Sequence, residues 1–563
     1  MPFRCRAVAA AVWPLLLLTL CTRAGSAATS SITSELPANS ALCVVCNNVL
    51  RLDQRVSRLE RRITGQRSQF DEFAALKMVF GPYWNSSAPM AWVMPSPAKG
   101  KILEFRKSVV ILQSTNTAKF IAGLKNGTIR GGITPARIEG SPAFIATRGV
   151  WIFISASRSA LRMYLQAKSG LTLPGKMIAA ISHADIAIEG DAHAIRKDVF
   201  DPSKAMLFAA MPGNHLPFGS PALKSILQQM ENKINSQLNT ALKRSVLTLY
   251  FGRQALIINL TTAFDADSPI ARLFAAQNPL AANALAGLPN LRYFSLYADS
   301  INGPAMAKWL QTLLPAKVRN GPGAPAQKSS EANKEVQIFL TAVADHTGTA
   351  AIMPAPATSS TAKDPVNPWG SGPAIIIMHC EHPRAEMLNL AACFSRRPAP
   401  SRIKPGTAVA KTLTPGNLMG YPAIRINLPT QKHVRTPHVV ELINMGTHRV
   451  LLGVDVPHKL LKSAVAAAGN NLAAIMKRPG LAQSMAEIVP RSFMVAYLPI
   501  ARWSQPANTA ETPKPAHALT LGLPPPPAVF SVGAGKKSLN MQLYIPVASL
   551  EQSLSGNPAG ALF

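Results

Sequence analysis

Acidic side chains are scarce in this sequence of 563 residues, where 27 Asp and Glu stand against 58 Lys and Arg and the formal net charge is +31. Charged residues make up only 15% of the chain, so the excess comes from missing carboxylates rather than from dense basic clusters. Because nucleic-acid-binding proteins usually concentrate Lys and Arg on one face, this thin spread disfavours that class. Three hypotheses fit the charge: a polyanionic partner such as an envelope surface, non-specific adhesion, or adaptation to an acidic habitat in which few native ion pairs are lost.

The short motifs of the common enzyme classes are missing too. The sequence contains no Gly-x-Ser-x-Gly, no His-Glu-x-x-His and no EF-hand loop. Gly533–Lys537 resembles a phosphate-binding loop, but Phe530 stands where that loop requires its first glycine. The segment also lies between two predicted strands, which indicates a hairpin turn. We therefore expect a protein that is not an enzyme and that needs no cofactor or metal.

Long apolar runs are missing after the N-terminus. There, two arginines precede the apolar stretch Ala7–Leu20, and Gly25–Ala27 offers small residues for cleavage. This layout is typical of a secretory signal peptide, which we place at residues 1–27. An uncleaved anchor is the alternative, although the run is shorter than the ~20 residues of a membrane span. Lipidation at Cys21 is a further alternative, disfavoured by the bulky Leu20 before it. The mature chain is expected in the periplasm or outside the cell, without a membrane span.

Cysteines are few as well. Four follow the predicted signal peptide, and an even number in an oxidising compartment permits two disulfides. They are Cys43, Cys46, Cys380 and Cys393. Pairing within each closely spaced couple is one of three connectivities.

One motif occurs twice. Thr134–Ala143 recurs about half a chain length later as Thr414–Ala423, with Thr-Pro, an aliphatic residue, Gly and Pro-Ala in the same places. We interpret the motif as a turn: Thr-Pro ends any preceding helix, Gly adopts positive φ, and Pro-Ala enters a core strand. The two copies share no titratable side chain, so a ligand-binding role is disfavoured.

The order of predicted elements around the motif repeats as well. A first half at 82–290 and a second at 374–550 each run from a strand and short helix, through the motif, to a closing hairpin. Residues 291–373 are predicted to connect them, with strands at 291–297 and 336–342 and flexible linkers at 316–335 and 354–373, and residues 551–563 form a tail. The sequence therefore predicts an internally duplicated α+β fold with largely antiparallel sheets and helices packed on them.

Residues 28–80 lie between the predicted signal peptide and the first half. They contain a spacer and a predicted basic amphipathic helix that runs from about residue 40 to residue 65. Apolar residues recur at spacings of three and four, as in a coiled coil: Leu42, Val45, Val49, Leu52, Val56, Leu59 and Ile63. The opposite face carries candidate anion-binding residues: Arg51, Arg55, Arg58, Arg61 and Arg62. One hypothesis is a homo-oligomer formed through residues 42–63, and the other is a helix packed on its own domain.

The densest group of potential ligands is His379, Cys380, Glu381 and His382. In an extended segment, alternate side chains point to opposite faces, so all four cannot converge without a turn. A metal or catalytic site here is a third-ranked hypothesis, behind a Cys380–Cys393 disulfide beside surface histidines.

The overall plan resembles a group of exported bacterial proteins, of the planctomycete type, that contain a domain of unknown function in two related α+β halves. The resemblance is carried by residues 140–143 leading into 150–154, by their copy at 420–423, and by the closing hairpin at 529–545. It covers most of residues 85–550, and it implies no functional residues.

The leading hypothesis is an exported, non-enzymatic binding or structural protein of the bacterial cell envelope that associates with an anionic surface or polymer. The alternative is a carrier of an apolar ligand or lipid held between the two halves. An enzyme that uses residues 379–382, such as a hydrolase, comes third.

Overall fold

A computed structural model provides the structure of the chain. It describes residues 32–38, 40–64, 72–96, 104–124, 132–167, 170–171, 173–191, 221–314, 331–354, 373–395, 413–427, 439–446, 448–470, 474–478, 480–500 and 525–555. The predicted signal peptide lies outside the described residues, as do most of the predicted linkers.

Strands and helices alternate along the described residues. The strands are β1 (Ser40–Cys46), β2 (Met90–Pro95), β3 (Val109–Gln113), β4 (Thr134–Ile138), β5 (Ser141–Arg148), β6 (Trp151–Ser155), β7 (Ile186–Asp191), β8 (Leu242–Phe251), β9 (Ala255–Phe264), β10 (Tyr293–Ser300), β11 (His346–Pro354), β12 (Ala374–Cys380), β13 (Leu413–Leu418), β14 (Tyr421–Asn427), β15 (Val439–Asn444), β16 (Arg449–Val454), β17 (Ser492–Leu498), β18 (Ala528–Ala534) and β19 (Ser538–Pro546). The α-helices are α1 (Val49–Thr64), α2 (Glu72–Phe80), α3 (Thr117–Leu124), α4 (Arg158–Gln166), α5 (Gly175–His183), α6 (Pro221–Ala241), α7 (Pro269–Ala275), α8 (Gly303–Leu313), α9 (Glu331–Asp345), α10 (Pro383–Ser395), α11 (His458–Gly469), α12 (Leu481–Met485) and α13 (Val547–Ser555).

The chain divides into two compact units, and both are discontinuous in sequence. Unit 1 comprises Met1–Asp201, Leu242–Phe264 and Tyr544–Phe563, and unit 2 comprises Pro202–Ala241 and Asp265–Leu543. These boundaries differ from the predicted ones. The predicted connector contains β10, α8, α9 and β11, which belong to unit 2, and the predicted N-terminal spacer contributes β1 to the sheet of unit 1.

The sheet of unit 1 is antiparallel and runs in the order β4-β5-β6-β3-β2-β1-β7-β8-β9. Apolar side chains cover both of its faces, because successive residues of a strand point to opposite sides. On β1, Cys43 and Val45 join one buried cluster and Cys46 joins the other. Helix α4 packs on one face, where the rings of Phe153 and Tyr164 meet at a tilt of 44° with 5.5 Å between their centroids.

The sheet of unit 2 is antiparallel as well, in the order β13-β14-β15-β16-β12-β11-β10-β17-β18. With β15 set aside, its strands follow the same order as the first eight strands in the sheet of unit 1. The prediction of an α+β fold with largely antiparallel pairing is confirmed.

The repeated motif forms a β-hairpin at the end of each described sheet. The glycine of the motif was predicted to adopt positive φ, and it does so in the turn of each hairpin. Glu139 and Gly140 have φ values of 47° and 76°, and Met419 and Gly420 have 56° and 91°. Positive φ at both positions of a two-residue loop is typical of a type I′ turn, which matches the twist of paired strands.

Thr-Pro was predicted to end a helix before the turn. It lies instead inside the first strand of the hairpin. Pro135 pairs with Phe144 and Pro415 with Ile424, three residues before each turn. Hydrogen-bonded and non-hydrogen-bonded pairs alternate along an antiparallel hairpin, starting from the hydrogen-bonded pair that closes the turn. Each proline therefore stands at a non-hydrogen-bonded position, where the backbone nitrogen faces away from the partner strand. Each proline therefore removes an N–H from the outer side of its hairpin, and that limits pairing with a further strand.

The predicted helix from residue 40 is wrong in its first third. Ser40–Cys46 is a strand with β2 on one side and β7 on the other. Helix α1 begins only at Val49, where the side chain of Asn48 accepts a hydrogen bond of 2.7 Å from the N–H of Arg51. The apolar spacing of three and four residues continues from this central strand into the helix that follows it, so the two elements were predicted as one helix. Over so few residues, periodicity does not distinguish a strand from a helix.

The predicted strand at 336–342 is also wrong, because these residues belong to α9. Val336 and Leu340, four residues apart, are both buried, as expected for one face of a helix. Its β-branched residues favoured a strand, but packing against α8 overrides that local preference. The predicted tail at 551–563 begins within α13. Among the described residues, none of the helices has the length and apolar character that a membrane span requires.

Candidate functional site

Two of the five arginines proposed to bind anions are held by a buried carboxylate of their own unit. Asp185, at the start of β7, has a side chain that is 1% exposed, and it lies 2.6 Å from Arg55 Nη1 and 3.4 Å from Arg51 Nη2. The N–H of Phe251 donates a third interaction, 2.8 Å from Asp185 Oδ2. These arginines therefore fix α1 to the sheet.

A third arginine, Arg62, is engaged as well, although it is exposed like the remaining two. Arg62 Nε lies 2.6 Å from Glu551 Oε1, and its Nη1 donates to the carbonyl of Arg253 at 2.8 Å. Arg58 and Arg61 are exposed. Of the predicted anion-binding face, Arg58 and Arg61 are the two exposed side chains that form no ion pair with a described residue.

The apolar side of α1 packs within unit 1. Val49 and Leu52 are buried in the same cluster as Trp92 of β2, and Val56 packs against it. The structure thus places this helix on its own domain, as the second of the two hypotheses required. Oligomerisation through residues 42–63 stays a prediction, but Val49 and Leu52 are not exposed for it.

The predicted pairing of Cys43 with Cys46 is wrong, since both are free thiols. They lie three residues apart on β1 and therefore join clusters on opposite faces of the sheet. The Cys43 thiol donates to Ser40 Oγ at 3.0 Å, and burial together with nearby Glu189 raises its pKa far above the ordinary range. Cys380 is also a free, buried thiol, and the side chain of Cys393 lies outside the described residues.

The 379–382 group does not converge on one point. Burial, and then the charge of Arg449, lowers the pKa of His379 at the end of β12. His382 is exposed and turns away to Asp345, with 2.7 Å between Nδ1 and Oδ1. Glu381 is exposed too. Within the described ranges, no group of three or more His, Cys, Asp or Glu side chains is arranged to hold a metal ion.

Sequence analysis missed two buried carboxyl groups near this segment. Asp299 on β10 accepts the N–H of Thr349 at 2.8 Å, and burial raises its pKa to about 7. Glu386 on α10 is 1% exposed, and burial followed by the charge of Asp345 raises its pKa to about 8. Burial also lowers the pKa of His346, the first residue of β11, to about 4. Isolated acids in apolar segments carry no motif that would have revealed them.

Unit 1 contains a buried pair of its own. Glu189 on β7 is fully buried and bonded by Arg244 of β8, whose guanidinium also donates to the carbonyls of Ala38 and Ser40 at 2.9 and 3.0 Å. Burial raises the pKa of Glu189, and the bond to Arg244 opposes that rise.

Several of the scarce acids thus lie inside the protein. The side chains of Asp185, Glu189, Asp299 and Glu386 are all buried. Exposed lysines and arginines, by contrast, occur on both units. The surface is therefore more positive than the composition alone indicates.

An open cavity of about 260 Å³ lies within unit 2, beside β17. Its walls are mostly apolar, with Leu280, Ile488, Val495 and Tyr497 among them, and Arg491 lies at its border. Val495 and Tyr497 face it together because they are two residues apart on the same strand.

Comparisons with known proteins leave the family open. No protein-family model matches the chain. No curated protein matches it either. A solved structure titled "Structure of crystal form I of TP0453" is similar at 11% identity and a TM-score of 0.22, over 42% of this chain and 80% of that one. So low a score supports no conclusion about fold or function.

We expect Glu386→Gln to raise the melting temperature at pH 9 by about 2–4 °C and to leave it unchanged at pH 5. The folded-state pKa of about 8 lies above the ordinary value for Glu, so the stability that the neutral acid contributes is fully present below the ordinary value and is lost as the pH rises from there to about 8. Gln imitates the neutral form at every pH. Thermal unfolding from pH 5 to pH 9 measures the effect, with exposed Glu381→Gln as the control. An equal shift at both ends of the range would contradict it.

Proposed function

We propose that the chain is a non-enzymatic binding protein of the bacterial cell envelope that associates with an anionic surface or polymer. The observation that carries the proposal is the distribution of charge. Acids are scarce in the sequence, and Asp185, Glu189, Asp299 and Glu386 are buried, whereas cations are exposed on both units. A surface with unbalanced positive charge attracts polyanions over a range set by the salt concentration.

Export is part of the same proposal and rests on the N-terminal sequence. The layout of residues 1–27 supports a signal peptide, which would deliver the protein to the periplasm or the cell exterior. Anionic polymers are plentiful there, which would give a basic protein its partner. Membership of the planctomycete-type group remains a prediction.

We also propose that the two units are copies of one ancestral α+β unit. The shared strand order supports this, together with the motif hairpin found at the same position in each sheet. Strand β15 would then be an insertion in unit 2, between the motif hairpin and β16.

Salt-dependent retention on an immobilised sulfated polysaccharide tests the proposal. The wild-type chain should be retained at low salt and eluted as added salt ions replace it on the polymer. The double substitution Arg58→Glu and Arg61→Glu should shift elution to lower salt, because both side chains face solvent. Arg51, Arg55 and Arg62 are unsuitable for this test, since reversing their charges would break contacts inside unit 1.

Arg137→Glu with Arg162→Glu is the matched control, because it also reverses two exposed arginines of unit 1. A larger effect of the α1 substitutions would support a role for that helix. Equal effects would show that adhesion is spread over the surface and would refute that role. A wild-type chain that is not retained even at low salt would refute the whole proposal.

A further inference from the structure

The cavity in unit 2 has walls from three segments of chain. The loop after α7 supplies Leu280 and Ala284, the residues after α12 supply Ile488, and β17 supplies Val495 and Tyr497. The N–H of Leu280 donates to the carbonyl of Ser492 at 2.6 Å, so the first wall is tied to the third. This link holds the loop against the strand and leaves the space open.

The interior of the cavity is chemically simple. Leu285, Val495 and Tyr497 line it and are buried. Ser492 also contributes to the lining, but its hydroxyl already donates to the carbonyl of Val489 at 2.6 Å. An apolar body would displace water from the partly exposed side chains of Leu280, Ile488 and Val489.

A single charged residue stands at the border. Arg491 is exposed, and it forms no ion pair with the part of the chain that the structure describes. Its φ of 60° lies in the left-handed region, which is uncommon for a residue other than Gly or Asn. The turn before β17 therefore places Arg491, which has no ion-pair partner among the described residues, beside an apolar cavity.

The volume sets the size of a fitting ligand. A cavity of about 150 Å³ suffices to bind benzene, and this one is about 260 Å³. It lies just below the usual range of drug-sized ligand sites, roughly 300–1,000 Å³. A single short apolar chain fits this size, whereas a lipid with two long chains does not.

We propose that this cavity binds a medium-chain fatty acid anion. The alkyl chain lies along Leu280, Ile488 and Val489, which line the cavity and are partly exposed, and the carboxylate pairs with the guanidinium of Arg491. A guanidinium presents two parallel N–H donors that match the two oxygens of a carboxylate. The site is independent of the anionic-surface proposal, and it lies within unit 2 rather than between two halves, where sequence analysis had placed an apolar ligand.

Titration calorimetry with decanoate and with decanol tests the site at pH 8, where the fatty acid is ionised. We expect the wild-type chain to bind decanoate more tightly than decanol. Arg491→Asn should weaken decanoate binding roughly tenfold and leave decanol binding unchanged, since only the charged pair is lost. Asn accepts the left-handed backbone, so the turn is preserved.

Filling the cavity tests the apolar part. Ala284→Phe should abolish the binding of both ligands, and Leu280→Trp gives a second filling substitution in the same wall should the first disturb folding. Thermal unfolding of each variant checks the fold. Lys462→Gln, which removes an exposed charge from α11, is the matched control and should change nothing.

Three results would overturn the proposal. They are no decanoate binding to the wild-type chain, binding that survives both filling substitutions, and equal weakening by Arg491→Asn and Lys462→Gln. The last would show attraction to the general positive charge of the protein instead of a site. Retention on the sulfated polysaccharide should be unaffected by Ala284→Phe, so the two proposals fail separately.

Discussion

Replacing Arg244 with Met is expected to destabilise unit 1 by about 3–5 kcal/mol. The substitution leaves Glu189 fully buried without its cation, and it removes the two hydrogen bonds that Arg244 donates to the carbonyls of Ala38 and Ser40. An unpaired buried charge is among the largest single destabilising effects in proteins.

The size of this effect should depend on pH. Burial already raises the pKa of Glu189, and Arg244 opposes that rise, so the variant should bind a proton at Glu189 at higher pH than the wild type does. Once protonated, the carboxyl is neutral and its burial costs less. We therefore expect a smaller loss of stability at pH 5 than at pH 9, following the proton linkage of a raised carboxyl pKa.

Denaturant unfolding, monitored by hydrogen exchange of the backbone amides of β7 and β8, measures the loss of stability in unit 1. The double substitution Glu189→Met with Arg244→Met is the informative control. Removing both charges should recover much of the stability lost in the single variant, because no charge then remains buried. Arg162→Met, on the exposed face of α4, should change little. A double variant that is no more stable than Arg244→Met would show that the loss comes from the carbonyl contacts instead.

Gly303→Ala is expected to destabilise unit 2 by about 3 kcal/mol, near the upper end for overpacking. Gly303 begins α8 where that helix meets the last turn of α9. A Cβ there would lie 2.5 Å from the carbonyl oxygen of Val343 and 2.8 Å from that of Ala344, and closer still to the oxygen of His346. These are backbone atoms and cannot rotate away, so the two helices would have to separate.

Gly123→Ala is the matched control, because it lies in α3 and a Cβ there meets no atom within 4 Å. That substitution should stabilise slightly, by roughly 0.5–1 kcal/mol, through the better helix propensity of Ala. Melting temperatures of the two variants, measured side by side, separate steric conflict from propensity. If Gly303→Ala melted with the wild type, the close approach of α8 and α9 would be contradicted.

Local patterns predicted the elements whose signals are short and strong. Ser is among the residues that favour the N-cap of a helix, and the side chain of Ser157 accepts the N–H of Ala160 at 3.2 Å at the start of α4. The glycine of the repeated motif was predicted to take positive φ, which Gly140 and Gly420 do. In both cases a few neighbouring residues determine the geometry, so the sequence contains the needed information.

Elements that depend on distant partners were missed. Strand β1 exists because β2 and β7 flank it, and its apolar spacing resembles the helix that follows. The same limit applies to charges. Arg55 had every local property of a solvent-exposed cation, but its partner, Asp185, lies 130 residues away in sequence. Buried acids such as Asp299 could not be identified either, because burial is a property of the folded sheet.

The division of unit 1 into three segments determines when it can fold. Helix α13 lies near the end of the sequence but packs on α1, and the N–H of Val547 donates to the carbonyl of Gln254 at 2.8 Å. These contacts close loops of hundreds of residues, and such long-range closure slows folding. During synthesis the first segment of unit 1 must therefore wait for the last, and its uncovered apolar strands require protection from aggregation until α13 emerges.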